Sequence, residues 1–195
     1  MEKAPETVAA VGFRAHTGWA AAVVVTRQWQ IIERRRIVYE PEATRFIYHH
    51  ASEIAADADE ALIETARIQA TARARREIES VIATVRRDGK AIVAAGVPGG
   101  NYRLPGVLSE ILAAHSRIHA AEGAFYRNVL ADACERMHLR VNRTPERDLR
   151  AATTKSLGCT DTALRDRLDA VGRKVGPPWA EDQKLAALAA FTALL

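Results

Sequence analysis

The chain reads as an α/β protein built on a five-stranded mixed sheet, its first three strands an antiparallel meander. Three observations carry that expectation. Residues 8–25, VAAVGFRAHTGWAAAVVV, alternate an apolar strand, a polar turn and a second apolar strand. Residues 91–95, AIVAA, form a short unbroken apolar run between turn residues, as a buried central strand does. Most of the remaining chain carries helical periodicity.

Taken in order, residues 7–13 are expected as strand one, 14–17 as the turn and 18–25 as strand two. Residues 29–38 alternate imperfectly through Ile31, Arg34, Arg36 and Val38, as a half-exposed third strand would. Residues 39–56 lack a period and hold Pro41 and the pair His49 and His50, so a long loop with at most a short helix is expected. Asp57 or Asp59 can cap a helix running to about Arg87, with Leu62, Ala66, Ile78, Ile82 and Val85 inward and Asp88-Gly89 as the stop. After the strand at 91–95 comes a glycine-rich loop at 96–105, read as a mobile connection. It lacks the G-K-[ST] ending of a P-loop.

Residues 106–138 are expected as one helix and 139–143 as a fifth strand. Thr144 and Pro145 can open a helix that Gly158 ends, and Asp161 can cap the next, with Leu164, Leu168 and Val171 inward. The pair Pro177 and Pro178 breaks the chain before a last helix over 179–195.

A length of 195 residues suits one domain spanning 1–195. No apolar run is long enough to cross a membrane and the N-terminus has no apolar signal core, so a soluble cytoplasmic protein is expected. Cys134 and Cys159 show no metal-ligand spacing, which fits a reducing compartment. Of the 28 basic residues counted in a chain of net charge +4, 23 are arginine. Arginine suits phosphate contact, but plain compositional bias is the leading reading of the excess.

The hairpin at 8–25, the order three strands, helix, strand, helix, strand, helices, and the tail PPWAEDQKLAALAA at 177–190 together resemble the ribonuclease H-like superfamily, and within it the RuvC-type resolvases. That resemblance covers nearly the whole chain and implies a three-layer domain with helices on both faces of the sheet. It also implies a nuclease site in which carboxylates from strand one, strand four and the last helix hold two divalent ions about 4 Å apart. The positions the resemblance assigns to those acids hold Arg14, then Ala95 or Gly96, then Asp182 and Leu185. One acid of four is present. Asp182 lies in a first helical turn, where the macrodipole already stabilises it, and Arg14 is the expected ion-pair partner.

A second constellation lies on the helix after strand four. His115, His119 and Glu122 stand at i, i+4 and i+7, within about 60° of arc, on a face with Leu108, Ile111, Leu112, Tyr126, Val129 and Ala133. A buried polar network is the leading expectation, a metal site on His115, His119 and Glu122 is one alternative, and an exposed stripe of ordinary surface residues is the other. Gly123 beside them permits close approach, and His16 with Thr17 would face the site. Arg34, Arg36 and Arg103 are the candidate phosphate contacts, against a reading of Arg34 to Arg36 as a solvated sheet edge.

The function expected from these residues is a non-catalytic RuvC-like domain acting in binding or scaffolding, with nucleic acid or a protein as partner, no cofactor, no membrane, and homodimerisation left open. The rival is a metal-dependent hydrolase or nuclease with a site relocated to His16, His115, His119, Glu122 and Asp182. A third reading, a sugar-kinase or actin-like ATPase, shares the first hairpin but needs two such domains.

Overall fold

The computed structural model describes residues 7–42, 45–54 and 60–195. Strands β1 (Thr7–His16), β2 (Trp19–Thr26) and β3 (Ile31–Val38) form the antiparallel meander, and β4 (Lys90–Gly96) and β5 (Arg140–Asn142) complete the sheet in parallel, in the order β3-β2-β1-β4-β5. Helices α1 (Ile47–Ile54), α2 (Glu60–Arg87), α3 (Leu108–Leu112) and α4 (His115–Glu135) follow β3 and β4, and α5 (Leu149–Leu157), α6 (Asp161–Val175) and α7 (Glu181–Leu194) follow β5. A mixed sheet with helices on both faces is the expected fold. The capping residues Asp57 and Asp59 lie outside the described residues.

Strand alternation divides the core in two. Ala9, Val11 and Phe13 of β1 face α2 and α4, where Ile78, Val81, Tyr126, Val129 and Leu130 are buried with them. Ala10 of β1 faces the other way, with Val23 and Val25 of β2, onto the alanine-rich α7 and the leucines of α6. Gly12 and Gly96 are register partners beneath α7. A Cβ on Gly12 would fall on the Ala186 carbonyl oxygen and the Ala190 amide, and one on Gly96 on the Ala189 carbonyl. The alanines of α7 therefore let its backbone ride directly on the two glycines. This brings the first turn of α7 over the carboxyl end of β1.

Four boundaries differ from expectation. Strand β1 runs on through Arg14 to His16, which pairs with Trp19, so the hairpin closes in two residues on Gly18 with φ +80°. Arg14 and His16 are thereby strand residues on the α7 face, in phase with Gly12, and not turn residues. The expected helix over 106–138 is two, broken at Ala113 and Ala114, where Ala114 is extended. Alanine is the strongest helix former, so nothing local asks for that break, and each segment turns its own isoleucine, Ile111 and Ile118, inward. Thr160 and not Asp161 caps α6, accepting from the Ala163 amide at 3.2 Å. The helix opened by Thr144 and Pro145 begins as a single 3-10 turn, Glu146–Asp148, and ends as expected on Gly158 at φ +60°. The loop after β4 is pinned early, through a bridge between Gly99 and Pro145.

Candidate functional site

Two groups of ionisable side chains meet near the carboxyl end of β1. The first lies on the α7 face. His16 Nε2 is 3.0 Å from Asp182 Oδ1 in the first turn of α7, and both side chains are about one-third exposed. The Trp19 ring stacks on the His16 ring at 4.1 Å and 7°, and the Arg36 guanidinium lies 4.0 Å over Trp19. The pair expected between Arg14 and Asp182 does not form. Arg14, two residues short of His16, reaches the 3-10 turn beyond β5, its Nε 3.1 Å from Glu146 Oε2. That approach is an ion pair without hydrogen-bond alignment, because the buried Nε makes no hydrogen bond while Nη1 donates to the Ala15 carbonyl at 3.0 Å.

Arg127 of α4 lies within electrostatic reach of Arg14. Burial lowers its pKa first, with Arg143 and Arg14 adding to the lowering and Glu146 opposing it. Gly123 leaves room for it, since a Cβ there would stand 3.0 Å from Arg127 Nη1. Among the described residues Arg127 has no hydrogen-bond or ion-pair partner, and Arg143 donates to Asn128 at 2.9 Å.

The second group lies on the opposite face, between α1 and α4. Glu122 is 3% exposed, and its Oε1 accepts from the Tyr48 amide at 2.8 Å, the His49 amide at 3.2 Å and His49 Nδ1 at 3.2 Å. Its Oε2 is buried without a hydrogen bond. Burial raises the Glu122 pKa, and the bonds from His49 and Tyr48 pull it back. His115 and His119 are exposed and face each other, Nε2 to Nε2, at 2.9 Å. The network expected among His115, His119 and Glu122 is thus corrected. Glu122 alone of the three is buried, because α1 covers it and leaves the first turn of α4 open, and its partner is His49.

His49 was legible only as part of a histidine pair in an aperiodic segment, and nothing local joined it to α4. The structure brings its ring within 4.8 Å of His119 and 5.6 Å of His115, centroid to centroid. One ligand nitrogen from each of the three lies within 4.8 Å of the others. A hollow of about 210 Å³ links the two groups, lined by His16, Thr17, Phe46, His49, His119 and Glu122 among others. A larger hollow of about 590 Å³ lies apart from them, between the β2–β3 turn and α6, lined by Trp29, Arg167 and Lys174 among others.

The three candidate phosphate contacts divide. Arg34 points inward, donating to the carbonyls of Val175 and Gly176 at 2.7 Å each, Pro177 at 3.0 Å and Pro178 at 2.5 Å. It closes the C-terminal end of α6 and is not a solvated edge residue. Arg36 and Arg103 are exposed.

No protein-family model matches the sequence, and no curated protein does. Solved structures do. Thermus thermophilus RuvC in complex with Holliday junction substrate superposes with a TM-score of 0.52 at 11% identity, over 96% of this chain and 91% of that one. A second Thermus thermophilus RuvC structure gives 0.48 at 11% identity, over 95% and 92%. The chain has a RuvC-like ribonuclease H fold. At that identity the likeness carries architecture and not activity. In the RuvC-like fold of this chain, the positions that the resemblance assigns to metal-binding acids hold the paired Arg14, the buried Ala95, Gly96 without room for a side chain, the buried Leu185, and Asp182 in contact with His16.

Proposed function

We propose that this chain is a RuvC-like domain that binds nucleic acid through its phosphates and does not cleave it. The observation that carries the reading is the guanidinium of Arg14 near the carboxyl end of β1, ion-paired with Glu146 and within electrostatic reach of Arg127. Two divalent ions need hard oxygen ligands converging from the sheet and the last helix. The residues present do not fit that cage: Arg14 repels cations, Gly96 admits no side chain, and Asp182 is engaged by His16. The same exchange of charge suits an anion, because arginine forks bind phosphate bidentately. Arg127 and Arg143 are the central contacts in this reading, with Arg36 and Arg103 flanking. Arg34 is excluded by its four carbonyl partners.

The RuvC of the superposed structure is bound to a Holliday junction, which makes branched DNA the first ligand to try. No helix among the described residues is long and apolar enough to cross a membrane. The free thiols of Cys134 and Cys159 suit a reducing cytoplasm.

Fluorescence anisotropy with four-way, duplex and single-stranded DNA, over a salt series, tests the reading. Binding should weaken steeply with salt, and Arg127→Ala should lower the slope of log K against log salt by roughly 0.9 per lost phosphate contact. Absence of binding at low salt overturns the nucleic-acid half. Cleavage with magnesium or manganese that Asp182→Ala abolishes overturns the non-catalytic half.

A second reading, a relocated hydrolytic site, is favoured by one observation: His16, His119 and Glu122 line a common hollow. Hydrolysis of phosphodiester or carboxylic ester model substrates, lost on both His16→Ala and His119→Ala, would support it over the first.

A further inference from the structure

We propose that His49, His115 and His119 form a binding site for one divalent transition-metal ion of the imidazole-preferring kind, zinc above all, with Glu122 as the outer carboxylate that orients His49. The proposal is independent of nucleic-acid binding. The ribonuclease H metal position lies at the carboxylate set, whereas this site tethers α1 to the first turn of α4.

The donor set is chemically apt. Zinc takes neutral imidazole nitrogens at about 2.0–2.1 Å in a tetrahedron, which puts its ligand nitrogens about 3.3 Å apart. His115 Nε2 and His119 Nε2 are 2.9 Å apart and the whole set lies within 4.8 Å, close to that spacing. The i, i+4 spacing on α4 supplies two ligands from one rigid element. His49 comes from α1, whose first turn Glu122 holds through the Tyr48 and His49 amides.

The outer shell is already in place. Glu122 Oε1 lies 3.2 Å from His49 Nδ1, which sets the tautomer and leaves Nε2 as the free ring nitrogen. A metal-ligating histidine characteristically makes this contact to a carboxylate. Three protein ligands leave a fourth position open, and His49 and His119 both line the 210 Å³ hollow. The exposure of His115 and His119 gives an ion a path in.

The test uses the untagged full chain, stripped with a chelator and reloaded with zinc, with elemental analysis for stoichiometry, calorimetry for affinity and cobalt substitution for visible d–d absorption. About one ion per chain is expected, with cobalt bands of a low-symmetry site. His115→Ala and His119→Ala, both at exposed positions, should abolish saturable binding while keeping the far-ultraviolet circular dichroism of the parent. Glu122→Gln should weaken binding by about 10- to 100-fold. His138→Asn, a control beyond the end of α4 at φ +60°, should bind as the parent does. No saturable zinc binding by the parent, or binding that survives unchanged in both His115→Ala and His119→Ala, overturns the proposal. DNA binding measured on stripped protein is a separate readout, so failure here leaves the phosphate reading standing.

Discussion

Glu122→Ala should be among the costliest single substitutions in this chain. Tyr48 and His49 are the second and third residues counted from the entry to α1, so their amides have no partner within that helix. Glu122 supplies the partner from α4, as a capping residue acting across the fold. Loss of an ordinary cap costs about 0.5–2 kcal/mol, and stranding a buried donor about 1–3 kcal/mol. The desolvation that raises the Glu122 pKa offsets part of this, since the carboxylate itself is costly to bury. The expected net loss is about 2 kcal/mol, or roughly 4–8 °C in Tm for a chain of this size.

Urea and thermal unfolding of chelator-stripped protein, followed by circular dichroism, measure that loss without interference from bound ions. Glu79, in an exposed pair with Arg75 at 2.8 Å, supplies the control. Glu79→Ala should cost under about 0.5 kcal/mol. Glu122→Gln keeps an acceptor oxygen and should recover most of the stability. Equal costs for Glu122→Ala and Glu79→Ala would refute the capping argument, and so would a glutamine variant no better than alanine.

Gly96→Ala should destabilise by more than the roughly 1–3 kcal/mol usual for overpacking, because its Cβ meets the backbone of α7 and not a movable side chain; a loss below 1 kcal/mol in urea unfolding would mean that α7 can lift off the sheet. A double-mutant cycle on His16 and Asp182 should show coupling of about 0.5 kcal/mol or more at a pH where the histidine is charged, while Arg14 and Asp182 should be additive; the reverse pattern would disprove the observed pairing. Burial pushes the Cys134 thiol up to about 12, so a thiol reagent at pH 8 should label half-buried Cys159 in the native protein and Cys134 only after unfolding; equal rates, read by mass spectrometry, would contradict the burial of α4.

The strands were legible because their signals are local. The apolar runs at 8–13, 19–25 and 91–95 leave few choices for β1, β2 and β4, and the alanine-rich stretch after Asp182 reads as a last helix. The hairpin was misplaced by two residues because polarity at 14–17 resembles a turn, whereas Arg14 and His16 continue the ladder and put their charges on one face. The break at Ala113 and Ala114 has no local signature at all. His49 was invisible as a site residue, since a histidine pair in an aperiodic segment has no spacing relation to α4.

By itself the amino-acid sequence determined the order of strands and helices, the meander that precedes the parallel pair, and so the class of fold. It also determined that arginine stands at the end of β1. Which charge meets which was decided only by tertiary structure. His16 and Asp182 are 166 residues apart and touch at 3.0 Å, and His49 reaches Glu122 across 73 residues. Periodicity constrains a residue's face, but a partner is chosen by reach to within an ångström or two. That reach is set by how closely α7 rides on Gly12 and Gly96, and by where α1 covers α4.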